Sequence, residues 1–142
     1  MNNNAYKLIQ PKAAWELLQK NPAAVLIDVR SDMEFLMVGH PKGAIHVSWI
    51  DEPEWTINPH FVAEIRKIML GKVAMHEGKN TAPILLICRS NNRSVEAAEL
   101  LAKSGFHDLH VVEGGFEGPL DEKHHRSTTA GWRFEGLPWE QC

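Results

Sequence analysis

The chain has 142 residues, 44% of them hydrophobic and 23% charged, with a formal net charge of -3. That composition suits one folded domain with a sizeable core rather than a disordered segment, and it gives no general electrostatic case for nucleic acid. No apolar run approaches the roughly 18–20 residues that span a bilayer, the polar start (Met1 to Ala5) is not a signal peptide, and two cysteines, Cys88 and Cys142, make no disulfide framework, so a reducing, cytoplasmic setting is expected.

Tyr6-Lys7-Leu8-Ile9 reads as a short edge strand. Pro11 then stands where a first helical residue belongs, its φ already suited to the helix. Ala14, Leu17 and Leu18 form the apolar stripe, and Asn21-Pro22 ends it. Ala24 to Val29 is a continuous apolar run broken only by Asp28, the pattern of a strand covered on both faces of a parallel sheet. Ser31 and Glu34 have the spacing of a capping box that opens a short helix with Phe35 and Leu36, ending at Gly39. His40-Pro41-Lys42-Gly43 reads as a turn and Ala44-Ile45-His46-Val47 as a third strand. Residues 48–58 are irregular, with Trp49 and Trp55 either an exposed patch or part of the core. Asn58-Pro59 starts a second helix with Phe61, Ile65 and Ile68 on one face, weakened or ended at Gly71. A polar connection, His76 to Asn80, leads to the next apolar run.

That run, Ile84-Leu85-Leu86-Ile87, ends in Cys88 and the turn Arg89-Ser90-Asn91-Asn92-Arg93-Ser94. Val95, Ala98, Leu101 and Ala102 then fall on one helical face, stopped by Ser104-Gly105-Phe106. Leu109-His110-Val111-Val112 is a fifth strand, closed by Gly114-Gly115. Strands alternating with helices predict an α/β domain with a mostly parallel sheet, whose ligands bind beyond the carboxyl ends of the strands. Cys88 sits at such an end. The first amides of a helix, a nest of turn amides, and the cations Arg89 and Arg93 all favour a thiolate there over a thiol. A thiolate is a nucleophile, and the same cradle binds an anion. Asn91 is the residue of the turn that best tolerates a positive φ. The competing reading of Cys88 is a buried cysteine that merely finishes a strand, and of the arginines, exposed charges on a first helical turn.

The chain resembles the rhodanese-like sulfurtransferases, specifically a stand-alone single domain. Leu26-Ile27-Asp28-Val29-Arg30 with Glu34-Phe35, then Gly39-His40-Pro41-Lys42-Gly43-Ala44-Ile45-His46, then Cys88 to Ser94 carry the likeness, and Gly105-Phe106 and Val112-Glu113-Gly114-Gly115-Phe116 extend it. The resemblance implies a five-stranded, mostly parallel sheet with helices on both faces. It implies one domain over 1–142, with a core of about 5–117 and an extension over 118–142. It also implies that Cys88 takes a sulfur from thiosulfate or a polysulfide as a persulfide and passes it to a thiol or cyanide. Residues Arg89, Ser90, Asn91, Asn92, Arg93 and Ser94 would bind the anionic donor and cradle the persulfide, while Asp28 and Arg30 brace the loop. A small anionic sulfur donor and a thiol acceptor, including a protein thiol, are the implied partners, with no cofactor, metal, nucleic acid or membrane. In this family the fourth loop position is often glycine where Asn91 stands here. Two readings of the extension are open: that it narrows the mouth of the loop, or that its tryptophans cap the sheet.

Rival functions are a persulfide carrier or protein-interaction module, and a cysteine-dependent phosphatase or arsenate reductase. Phosphatase loops resemble cysteine, five residues, arginine. Here four residues, Arg89 to Asn92, separate Cys88 from Arg93, a cradle better sized for a sulfur atom than for a phosphoryl group. His107, His110, His124 and His125 are close in sequence but lack the paired spacing of a metal site and read as solvated polar residues.

Overall fold

In chain order the elements are β1 (Lys7–Ile9), α1 (Pro11–Lys20), β2 (Val25–Asp28), a π-helical turn (Glu34–Val38), β3 (His40–Pro41), β4 (Ile45–His46), β5 (Ile50–Asp51), β6 (Thr56–Ile57), α2 (Phe61–Met75), β7 (Ile84–Ile87), α3 (Asn92–Lys103), β8 (Leu109–Val112) and β9 (Trp139–Glu140). They come from a computed structural model that describes residues 5–51, 53–75 and 82–141. The connection read at His76 to Asn80, the start of the chain and Cys142 lie outside the described residues.

The two continuous apolar runs become the neighbouring strands β2 and β7. The main sheet has the order β1-β8-β7-β2-β4, and each pairing in it is parallel. Alternation along each strand divides the apolar residues between two cores. Val25, Ile27, Ile84, Leu86 and Cys88 face α2 and α3, while Leu26, Leu85, Ile87 and Val112 face α1 and the tail of the chain. Helices therefore cover both faces, and every residue of β2 and β7 is buried. Each fully buried Leu, Ile or Val contributes about 1.5–3 kcal/mol.

Helix α1 begins at Pro11 and buries Ala14, with Leu17 and Leu18 packed on the second core. Helix α2 buries Phe61, Ile65 and Met69 and runs on through Gly71, which does not end it. The cost of a mid-helix glycine, about 1 kcal/mol, is outweighed by those buried side chains. Helix α3 ends as its sequence suggests. Gly105 takes φ 95, its amide reaches Ala102 O, and the Phe106 amide reaches Leu101 O, a Schellman closure.

Two expectations need correction. His40–Pro41 is not only a turn, because it pairs antiparallel with β9 from the far end of the chain. The stretch read as irregular holds a small antiparallel hairpin, β5 with β6. Its two tryptophans have different fates. Trp49 is 3% exposed and donates its indole N–H to Glu96, whereas Trp55 is 59% exposed at a φ of 55°.

The extension caps the sheet. Only one of its two tryptophans is in the core: Trp132 is fully buried on the second core, edge-on to Trp15, with its indole N–H given to Pro138 O at 2.9 Å, whereas Trp139 is 42% exposed, edge-on to Phe116. Among the described residues, no helix is long and apolar enough to cross a membrane.

Candidate active site

Asp28 of β2 and Ile87 of β7 are in register, so Val29 and Cys88 lie level just past two adjacent strand ends, with Arg30 one residue beyond. The Gly114-Gly115 turn leaves β8 at the same edge and buttresses the loop. The Phe116 amide donates to Cys88 O at 2.8 Å, and the Glu117 amide donates to Arg89 O at 3.0 Å. This approach requires a glycine. Gly115 has φ 64, and a Cβ there would lie 2.5 Å from Cys88 O and 2.7 Å from Arg89 O.

Cys88 itself is 1% exposed. Its Sγ receives the Ser94 amide at 3.4 Å, from the first turn of α3. The Ser94 hydroxyl and the Asn91 side-chain oxygen are both buried with no hydrogen-bond partner among the described residues. Buried polar groups left unpaired are costly, and two of them occur within this one turn. Asn91 does not take the expected positive φ. It has φ -167 and ψ -35, outside the helical and left-handed regions, at the cap position of α3. A cap residue needs only a non-helical φ, so the chain passes from strand to helix without a left-handed residue in the turn.

The two arginines of the loop separate. Arg93 is bound bidentately by Glu34, Nη1 to Oε1 at 2.7 Å and Nη2 to Oε2 at 2.9 Å. Glu34 is also the capping-box acceptor for the Ser31 amide and hydroxyl, at 3.2 and 3.0 Å. The capping box therefore exists, but it opens a π-helical turn, closed by the Gly39 amide on Glu34 O at 3.2 Å. Burial alone would push the Glu34 carboxyl up, but the Arg93 guanidinium and the Ser31 donors overcome it and hold it at about 2 instead of 4.5. The hydrogen bonds that Arg93 donates to Glu34 raise Arg93 in turn above its ordinary value. Arg89 is exposed, and no ion pair to it is found among the described residues. Ser90 is half-buried, and Asn92 is an exposed first residue of α3.

Asp28 and Arg30 are both fully buried and bind one another, Nε to Oδ1 at 2.9 Å and Nη2 to Oδ2 at 2.7 Å. Arg30 also donates to Gly39 O at 2.5 Å and lies 4.5 Å from the centre of the Phe116 ring. Among the described residues, neither side chain hydrogen-bonds to the loop. They act on it through Phe116, whose amide holds Cys88 O, and through the charge of Asp28, which helps to raise Arg93.

Above the loop is an open cavity of about 610 Å³, lined by Arg89, Arg93, Glu34, Met33 and Trp55 among others. Residues 118–141 of the extension contribute nothing to its wall. Sequence reasoning missed Glu34 as a site residue, because the capping box already accounted for it and its partner lies 59 positions away. It left Trp55 undecided.

The description "Rhodanese-like domain" matches the chain over residues 10–121. The chain belongs to this family. It is 34% identical over 113 residues to thiosulfate sulfurtransferase GlpE of Pseudomonas putida (strain GB-1), covering 79% of this chain and 83% of that protein. The crystal structure of Rv0390 from M. tuberculosis superposes with a TM-score of 0.80 at 38% identity, over 96% of this chain and 99% of that one. The polysulfide-sulfur transferase homodimer of Wolinella succinogenes shares the fold, with a TM-score of 0.55 at 22% identity, over 97% of this chain and 80% of that one.

Proposed function

We propose that the protein is a sulfurtransferase working through a persulfide on Cys88. The Cys88 thiolate attacks the sulfane sulfur of a donor such as thiosulfate or a polysulfide. A sulfur–sulfur bond forms as the donor's own breaks, and its electron pair leaves with sulfite or a shortened polysulfide. An acceptor thiolate or cyanide then attacks the outer sulfur and returns Cys88 to thiolate. The observation that carries this reading is the recessed Cys88 sulfur beneath the Ser94 amide, in a turn holding two further buried polar groups without partners. A single added sulfur fits so short a turn, and the polar groups around it would stabilise its negative charge. Arg89 would meet the anionic donor at the mouth. Asp28 and Arg30 serve as buried supports.

Intact mass spectrometry after thiosulfate or polysulfide treatment should show one added sulfur. Cyanide should remove it, and Cys88→Ser should never acquire it. A wild-type chain that takes up no sulfur but hydrolyses a phenyl phosphate ester would sink the proposal.

A further inference from the structure

The mouth of the site carries less charge than its sequence suggests. Four charged residues line the cavity: Glu34, Arg89, Arg93 and Glu117. Glu34 and Arg93 cancel through two short bonds. Glu117 stands 4.0 Å from Arg133, which approaches from the side of the tail. Among the described residues this leaves Arg89 as the lining cation with no acidic partner. Apart from Ser31, the remaining wall is apolar: Met33, Val38, Ile50 and Trp55.

Trp55 is a second, independent observation. It sits in the β5–β6 turn at φ 55, a conformation that costs free energy for a bulky residue and that glycine adopts freely. Its ring is 59% exposed, so core packing does not repay the strain. Strain kept in an exposed aromatic at the rim of a cavity points to a use for the ring. The cavity's size, about 610 Å³, lies within the usual range for organic ligands, roughly 300–1,000 Å³, and far exceeds what a compact inorganic oxyanion fills.

Resting on the persulfide reading above, we infer that the cavity selects an organic sulfur compound with an apolar body and a single negative charge over a compact dianion. Trp55 supplies the surface for the apolar body, and Glu34 sets the charge by neutralising Arg93. Both residues determine specificity; neither is offered as a catalytic residue.

Two donors that deliver the same atom test this. Thiosulfate is a compact dianion that leaves as sulfite. Benzenethiosulfonate is a monoanion with an apolar ring that leaves as benzenesulfinate. In each case the Cys88 thiolate bonds to the terminal sulfur, the donor's sulfur–sulfur bond breaks with its electron pair leaving on the oxygenated sulfur, and no oxidant is consumed. With cyanide as acceptor, thiocyanate formation gives kcat/KM for each donor. The ratio of the two values is the readout, because a fall in folded fraction cancels from it. In Trp55→Gly, which suits the backbone better than tryptophan does, the ratio of aromatic donor to thiosulfate should fall about tenfold, through loss on the aromatic donor. In Glu34→Gln the ratio should fall about fivefold at low ionic strength, through gain on thiosulfate, and added salt should erase that gain. A ratio that does not move in either variant overturns the inference while leaving sulfur transfer intact. If wild type takes sulfur from neither donor, the persulfide reading itself falls.

Discussion

Asp28–Arg30 and Glu34–Arg93 use the same chemistry beside the same loop, each with a closest contact of 2.7 Å, yet their surroundings differ. The first pair has no exposed side-chain surface, while the second keeps 20–23%. Asp28–Arg30 is local in sequence and sealed beneath Phe116 and Gly39. Glu34–Arg93 spans 59 positions and forms part of the cavity wall. In the dry pair, desolvation is so costly that each charge is tolerable only because the other is present. In the wet pair water relieves part of that cost, so the charges can be altered and the fold survives. The first is architecture. The second is a place where the potential of the mouth can be set.

Breaking the dry pair should have the largest effect. Asp28→Ala leaves the Arg30 guanidinium buried without its counter-charge and should cost about 3–5 kcal/mol, read as a fall in the urea midpoint at unchanged slope. Replacing both partners, as Asp28→Leu with Arg30→Met, should recover much of that loss, because no unpaired charge remains. If the double variant is no more stable than Asp28→Ala, desolvation is not what makes the pair costly to break.

Next is the contact that joins this buried pair to the loop. Gly115→Ala places a methyl group against Cys88 O and Arg89 O, backbone atoms that cannot swing aside, at a φ of 64°. The strain and displacement together should cost about 2–4 kcal/mol. Sulfur uptake should also slow, because Phe116 and Glu117 can no longer hold the backbone of Cys88 and Arg89 as they do now. A variant that folds less stably but loads sulfur at the wild-type rate would show that the loop keeps its shape without this buttress.

The two pairs also differ in how far they can be read from sequence. Val25–Asp28 and Ile84–Ile87 declare themselves as buried parallel strands because both faces of each are covered, so their runs are apolar except for Asp28. The Asp28–Arg30 spacing and the placement of Cys88 beyond a strand end follow from those strands. The partner of Arg93 does not, because nothing near residue 34 or residue 93 records that the fold brings them together. The Ser31–Glu34 spacing carries only the local half of what Glu34 does. Small pairings such as β3 with β9, and the β5–β6 hairpin, consist of two-residue strands too short for any period to show. The residue type of Asn91 suits a left-handed backbone, but the cap geometry of α3 governs its conformation. The strained φ occurs instead at Trp55, a residue whose propensity gives no hint of it.

Breaking the wet pair should have the smallest effect on stability and a distinctive dependence on pH. The Glu34 carboxyl titrates at about 2 in the folded chain and ordinarily at 4.5. A folded value below the unfolded one means the unfolded chain binds more protons between them. The stabilisation is therefore complete above about pH 4.5 and is lost as pH falls through 2. Solvent screening of this partly exposed carboxylate reduces its contribution to about 1–2 kcal/mol. Glu34→Gln should lower stability by that amount near neutral pH and flatten this part of the acid limb. Denaturant titrations at pH 5, 4 and 3 read the difference directly. Parallel wild-type and variant curves across that window would mean that Arg93 does not hold the carboxylate in solution, and the neutralised mouth would then have no basis.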